Sequence, residues 1–404
     1  MKKYLPFLSF FALFAPWREV LVWAGDWPQF RGPGGAAVAD ETGLPAKWSD
    51  TENVRWKAEL PGRGLSSPVI ADGRVYITAC SGYRQGRLHV LCFDAAKGDK
   101  LWERSLASTG STMCHPKTCM AAPTPVTDGR RVYALFATGD LAAFDRDGDL
   151  LWYRALQRDY PGMANQVGMA ASPVLAGETL LLPLENAGDS FALGVDTKTG
   201  RNRWKVPRRR DINWVTPTVM RFHGKTAALF QTAGDITAYD ADSGEILWSY
   251  KGDNLGSIPS PVVVEDLIIV PGTPSVALRL TEGGKPEVVW KSRKLAAAYA
   301  SPVVYKGRIY AMTGIGVACL DASTGEEVWR ERLGHGFSAS PVLADGKLYV
   351  AKEDGATSVV QLGEKPKILA NNALKETLLA TPAIAKGAIY LRTDQHLYCI
   401  AAEK

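Results

Sequence analysis

The stretch Ala318–Trp329, A-C-L-D-A-S-T-G-E-E-V-W, constrains the fold more than any other part of the chain. It reads as a strand, a tight turn and a returning strand. Asp321 can accept hydrogen bonds from backbone N–H groups of the turn, and Gly325 can supply the positive φ that the turn needs. A lone hairpin is only marginally stable in water and cannot bury its own indole, so this unit needs neighbours. The chain supplies them by repetition. The pattern recurs at Cys92–Trp102, Gly194–Trp204 and Ala238–Trp248, with a turn one residue shorter at Ala143–Trp152. A degenerate copy, Leu280–Trp290, has Thr281, Gly283 and Gly284 where the Asp and its turn should be.

Upstream of each copy lies Ser/Thr-Pro followed by apolar residues. Its prolines are Pro68, Pro125, Pro173, Pro217, Pro261, Pro302, Pro341 and Pro382, spaced from 39 residues (Pro302 to Pro341) to 57 (Pro68 to Pro125). A period near 40 built of short strands predicts propeller blades. Each unit divides into strand a after the Pro, strand b after a Gly turn, strand c leading to the Asp, and strand d carrying the Trp. Proline fits the start of strand a, where no ladder donor is required. The eighth unit starts at Pro382 and has only three strands before Lys404. Asn53-Val-Arg-Trp-Lys-Ala resembles the missing strand d, with Trp56 as its indole. The expectation is therefore an all-β, eight-bladed β-propeller of four-stranded antiparallel blades over residues 53–404. An N-terminal strand completes the last blade, which removes the open edges a sheet must otherwise hide. Trp56, Trp102, Trp152, Trp204, Trp248, Trp290 and Trp329 are the expected structural blade tryptophans.

A closed ring is one domain despite the length of 404 residues. The 39 Gly and 24 Pro suit many tight turns, and 46% hydrophobic with 22% charged residues is ordinary for a globular protein. Lys2 and Lys3 precede an apolar run from Tyr4 to Ala15, and Val22-Trp23-Ala24 offers a cleavage site, so residues 1–24 read as a secretory signal. Residues 25–52 then form an N-terminal extension. Pro6 and Pro16 interrupt the run, which is short for a membrane span, and no Cys near the cut offers a lipid anchor. Loss of residues 1–24 removes three cations and one anion, so the formal charge falls from +5 to +3. That is too mild to argue for nucleic acid. A periplasmic or secreted monomer is expected.

Three of the six cysteines, Cys92, Cys319 and Cys399, share one strand-c position. Other blades place Ala143, Gly194 and Ala238 there, so Cys serves as a small hydrophobe. Cys80, Cys114 and Cys119 remain. The loop C-H-P-K-T-C allows a metal or redox site with His115, a loop disulfide, or one bridge to Cys80 with a thiol left over. Metal ligation needs about four ligands, and only one His is near.

In a propeller the a–b and c–d turns share one face, and here they are short and monotonous. The d–a and b–c loops share the other face, and several are long and varied: 105–122, 155–171, 184–190 and 207–215. Function concentrates in such loops, so a ligand-binding site is expected there, off-centre or at the mouth of the axis. Its candidates are His115, Lys117, Gln166, Glu185, Asn186, Asp189, Arg209, Asn213 and Trp214. Glu185 and Asn186 are also the metal candidates, though such pairs often cap loop backbone. Arg208–Arg210 reads as a solvated charge run. No nucleophile–base pair, P-loop or H-E-x-x-H stands in a setting that supports it, and no catalytic residue is assigned.

The A-x-D-x-x-T-G-x-x-x-W unit with Trp at each blade end resembles the pyrroloquinoline-quinone-type β-propeller repeat. That repeat is shared by quinoprotein alcohol and sugar dehydrogenases and by the non-catalytic lipoprotein of the outer-membrane β-barrel assembly machine. Asp26-Trp-Pro-Gln-Phe-Arg-Gly-Pro, followed by Trp48 and Trp56, is similar to the opening of exported bacterial proteins of this type. The resemblance implies the fold and leaves two activities. One is a binding or scaffolding module that holds an envelope protein or small ligand on the loop face, with no cofactor. The other is an oxidoreductase with pyrroloquinoline quinone on the axis and Ca²⁺ at Glu185 and Asn186, Trp214 stacking. The adjacent disulfide-bonded cysteines of the quinoprotein enzymes have no match here, nor do the insertions that roof their cofactor.

Overall fold

The computed structural model describes residues 25–164, 167–295 and 299–402. Residues 1–24, the expected signal, lie outside them. The described residues form eight sheets in chain order, each an antiparallel meander of four consecutive strands except the last, with a fifth, parallel strand added to the seventh. Blade 1 comprises Val69–Ala71, Arg74–Ser81, Arg87–Asp94 and Lys100–Ala107 as strands a to d. Blades 2 to 7 repeat the meander from Val126, Val174, Thr218, Val262, Val303 and Val342. Blade 8 takes Ala383–Ala385, Ala388–Arg392 and His396–Ile400 from the C-terminal end of the chain and Val54–Glu59 from the N-terminal end. Trp56 stands opposite Cys399, so the closure read from the sequence holds. Among the described residues no helix is long and apolar enough to cross a membrane.

The repeat is a lock between blades. The indole N–H of Trp56 donates to Ala95 O at 3.0 Å, Trp102 to Arg146 O at 2.8 Å, and Trp204 to Ala241 O at 2.9 Å. Trp152 reaches Thr197 O and Trp290 reaches Ala322 O in the same way. Each acceptor follows the turn Asp of the next blade. The turn Gly then lies flat on the indole: a Cβ on Gly98 would stand 2.5 Å from the Trp56 ring, and one on Gly325 2.6 Å from Trp290. Glycine is therefore demanded twice, by its positive φ and by ring contact. The small strand-c residue has a related cause, because it sits directly across the ladder from the indole. Trp204 faces Gly194, where a Cβ would come within 2.3 Å of the ring. Trp102, Trp329 and Trp56 face Cys92, Cys319 and Cys399. The degenerate copy shows the consequence of losing the turn. Trp248 faces blade 5, whose turn lacks the Asp, and its buried indole N–H has no partner.

The N-terminal extension crosses the axis at the a–b end of the ring. Trp27 exchanges backbone hydrogen bonds with Ile70 of blade 1, and Thr127 N–H of blade 2 donates to Pro28 O. Arg31 then donates to Pro302 O of blade 6. Val38–Ala39 adds a parallel strand beside Val342–Ala344 of blade 7. Gly32 (φ 68°) folds the chain back over the Trp27 ring. The extension is thus a plug that closes one end of the channel.

Candidate functional site

The other end of the channel is open, and its wall is written into the repeat. In all blades but the first, the hydroxyl of the residue before the strand-a proline accepts the backbone N–H of its counterpart in the preceding blade. Ser67 N–H donates to Thr124 Oγ1, Thr124 N–H to Ser172 Oγ, and Ser172 N–H to Thr216 Oγ1. The chain of bonds continues through Ser260, Ser301 and Ser340 to Thr381, every length between 2.9 and 3.1 Å. Eight hydroxyl residues so form a belt around the axis. Ser67 Oγ, where the belt would close, is buried without a partner.

The belt walls a cavity of about 310 Å³, lined also by Phe30 of the plug and rimmed by one d–a loop from every blade. Ligand cavities of proteins begin near that size. Its rim combines His115, Lys117, Trp214, Ile258, Tyr299 and Leu379. Trp214 is held by its N–H to Ser257 O and by its indole N–H to Gly168 O at 2.8 Å, which wedges it between two loops. The His115 ring packs against it at 6.5 Å between centroids, and His115 Nδ1 accepts the Lys117 N–H. Lys117 spans the mouth. Its ammonium lies 2.7 Å from Glu353 of blade 7 and 5.0 Å from the centre of the Tyr299 ring. Burial pushes the Glu353 carboxyl up, but Lys117 and Ser338 outweigh it and hold the acid below its ordinary range.

Three of the expected site residues therefore meet at the mouth of the axis: His115, Lys117 and Trp214. Gln166 lies outside the described residues. The others lie further out. Glu185 is fully buried and bonded to Arg208 Nε at 2.7 Å, with Asn213 Nδ2 on its second oxygen. Burial drives its carboxyl up, against the pull of Arg208 and Asn213. Arg208 also reaches Tyr239, Phe230 O and Asp235. The solvated charge run is thus corrected at its first residue: Arg208 is a buried cation between two acids, because a carboxylate this deep requires one. Asn186 spends its amide on its own loop, donating to Leu184 O and Asp189 O and accepting from Ala164 and Gly188. Asp189 pairs with Lys205, and Arg209 with Asp211 at 3.8 Å.

That donor set does not fit a quinone held by a cation at Glu185 and Asn186. Neither residue lines the axial cavity, and no carboxylate does so among its described lining residues. Nor do three or more His, Cys, Asp or Glu side chains gather as a metal cluster among the described residues.

Sequence reasoning missed four features. The belt was legible as Ser/Thr-Pro, yet only the proline was given a role. Tyr299 carries no motif, and Phe30 lay inside the Asp26–Pro33 stretch without being given a place at the axis. The fourth is a relay on blade 1, with Ser81 Oγ 2.7 Å from His89 Nε2 and His89 Nδ1 2.8 Å from Glu103 Oε1. This is the connectivity of a hydrolytic triad. Gly62 packs over it so closely that a Cβ there would stand 3.0 Å from Ser81 Cβ. The relay ties three strands of one sheet together.

The family model described as "Outer membrane protein assembly factor BamB" matches residues 22–182, 166–315, 283–365 and 314–404. Among solved structures, the chain is similar to BamB from Moraxella catarrhalis, with 16% identity, a TM-score of 0.63, and coverage of 86% of this chain and 98% of that one. It is also similar to a europium-containing methanol dehydrogenase, with 10% identity, a TM-score of 0.71, and coverage of 95% and 99%. A third is quinohemoprotein alcohol dehydrogenase from Comamonas testosteroni, with 13% identity, a TM-score of 0.67, and coverage of 94% and 81%. At such identities the likeness shows the fold alone. No curated protein matches the chain.

Proposed function

Because the chain belongs to the outer membrane protein assembly factor BamB family, we propose that it is an exported binding or scaffolding module. Its varied loop face holds an envelope protein or small ligand at the mouth of the axis, and it performs no chemistry of its own. The observation that carries this reading is the composition of the axial cavity. Its wall is a belt of hydroxyls, its rim is aromatic and basic, no carboxylate is among the described lining residues, and the acid at the mouth, Glu353, is paired with Lys117.

The test is affinity capture from an envelope extract with the purified protein and with Trp214→Ala and Lys117→Glu variants. A partner retained by the parent and lost from both variants supports the reading. Dye-coupled oxidation of an alcohol or sugar after addition of pyrroloquinoline quinone and Ca²⁺ would overturn it in favour of the oxidoreductase.

A further inference from the structure

The C-H-P-K-T-C loop gives the mouth His115 and Lys117, and its anchoring is incompletely accounted for by backbone bonds. Ala137 N–H donates to Met120 O, and Leu65 N–H and Ser66 N–H both donate to Ala121 O. Beside these bonds lie two buried thiols. Cys80 lies next to the last residue of strand b of blade 1 at 1% exposure, and Cys119 sits in the loop at 0%. The two thiols interact within one buried cluster, and the Cys80 thiol also donates to Arg63 O at 3.2 Å. Gln85 frames the contact, its Oε1 lying 3.2 Å from Cys80 Sγ and accepting Met120 N–H at 3.0 Å. Cys114 stands apart, half-buried, with its Sγ 3.8 Å from Met120 Sδ.

A second observation falls on the same spot. Arg392, from strand b of blade 8, is fully buried next to this pair, and Gly64 must lack a Cβ to admit its guanidinium. Arg392 Nη1 donates to Ser66 and Thr78, while its Nε and Nη2 have no partner. A buried cation with unpartnered N–H groups favours whatever anion can form nearby, and here the neighbouring acids are the two thiols and, acting more weakly, Asp394. Hydrogen bonding from Cys119, against the push of burial and with help from the Ala121 N–H and Arg392, holds the Cys80 thiol below its ordinary range. Burial pushes Cys119 up. Either thiol can begin the exchange before the loop seats, and the balance is the same in either order.

We propose that Cys80 and Cys119 close into a disulfide that pins the loop carrying His115 and Lys117 to blade 1, leaving Cys114 as the free thiol. The oxidant is a low-molecular-weight disulfide. With Cys80 first, its thiolate attacks one sulfur of that disulfide, forming a mixed disulfide and releasing one small thiolate. Cys119 thiolate then attacks Cys80 Sγ, breaks the mixed bond and releases the second. Two protein thiols and one small disulfide thus become one protein disulfide and two small thiols. Both sulfurs are buried once the loop is seated, so the exchange takes place as the loop folds onto blade 1.

The experiment refolds the reduced chain in a buffer of oxidised and reduced glutathione, then alkylates the remaining thiols in denaturant. The expected count falls from six to four. Trypsin places Cys80 on Val75–Arg84, Cys114 on Ser105–Lys117 and Cys119 on Thr118–Arg130, so mass spectrometry identifies the linked pair directly. The Cys114→Ser variant should keep the link, and reduction should lower the melting temperature by roughly 5 °C. Six thiols after refolding to the native fold, or a link that includes the Cys114 peptide, would overturn the proposal. The mapping is done on the unaltered chain, so it does not depend on any variant folding.

Discussion

At the scale of the residue, the strongest constraints come from groups that cannot be solvated. Arg208 and Glu185 have side chains only 3% and 1% exposed. Breaking such a pair leaves a charge alone in a medium that cannot stabilise it. Arg208→Ala is expected to cost about 3–5 kcal/mol in chemical denaturation, whereas the double change Arg208→Met with Glu185→Leu should be close to neutral. If the single and double variants unfold at the same denaturant concentration, the burial argument is wrong. Glycine at the turn makes a separable prediction. Gly98 (φ +78°) presses on Trp56, while Gly129 (φ +83°) has nothing within 4 Å. Gly98→Ala should lose about 2–3 kcal/mol, and Gly129→Ala about 1, since only the first adds a steric clash to backbone strain. Thermal unfolding of the two variants side by side separates the terms.

At the scale of the element, the hydroxyl belt explains why strand a begins as it does. Proline frees strand a from donating, and the Ser or Thr before it carries the bond to the next blade instead. Ser172→Ala would strand the buried N–H of Thr124 and is expected to cost about 1–3 kcal/mol. Ser67→Ala should cost less than about 0.5, because Ser67 Oγ accepts nothing. Equal losses at the two positions would show that the belt contributes through packing alone. The blade lock was legible in the sequence because turn and indole recur at fixed spacing. The belt was equally periodic, but its geometry is not: hydrogen bonds between residues 39 to 57 apart have no local signature. The same holds for the mouth of the axis. His115 and Trp214 were reached because their loops depart from turn chemistry. Tyr299 was not, because a lone aromatic in a loop looks the same whether it faces a cavity or bulk water.

At the scale of the whole molecule, the ring is shut by a clasp between the two ends of the chain. Glu376, in the loop before blade 8, accepts from Thr393 at 2.5 Å, His396 at 2.9 Å and Tyr398 at 2.7 Å. Lys57 of the N-terminal strand approaches it at 3.4 Å. Burial pushes this carboxyl up, but the three hydrogen bonds prevail and hold it down at about 2, against an ordinary 4.5. A depressed acid contributes stability that is present above its unfolded value and lost as the pH falls towards the folded one. The clasp should therefore weaken between about pH 4.5 and 2, and Glu376→Gln should flatten that part of the stability profile. An unchanged acid limb in the variant would remove Glu376 from the account.

The sequence by itself determined the number of blades, the shared last sheet and the face on which loops vary, because each follows from what neighbouring units must do to bury an indole. Only the tertiary structure decided which loop residues converge. Glu185 and Asn186 have the chemistry of a cation site, yet one is neutralised by Arg208 and the other caps its own loop. Chain spacing is blind to that choice, since a carboxylate's partner is set by what the ring folds against it. The Arg392 guanidinium and the Cys80–Cys119 pair likewise come together from opposite ends of the chain, and only closure of the circle makes them neighbours.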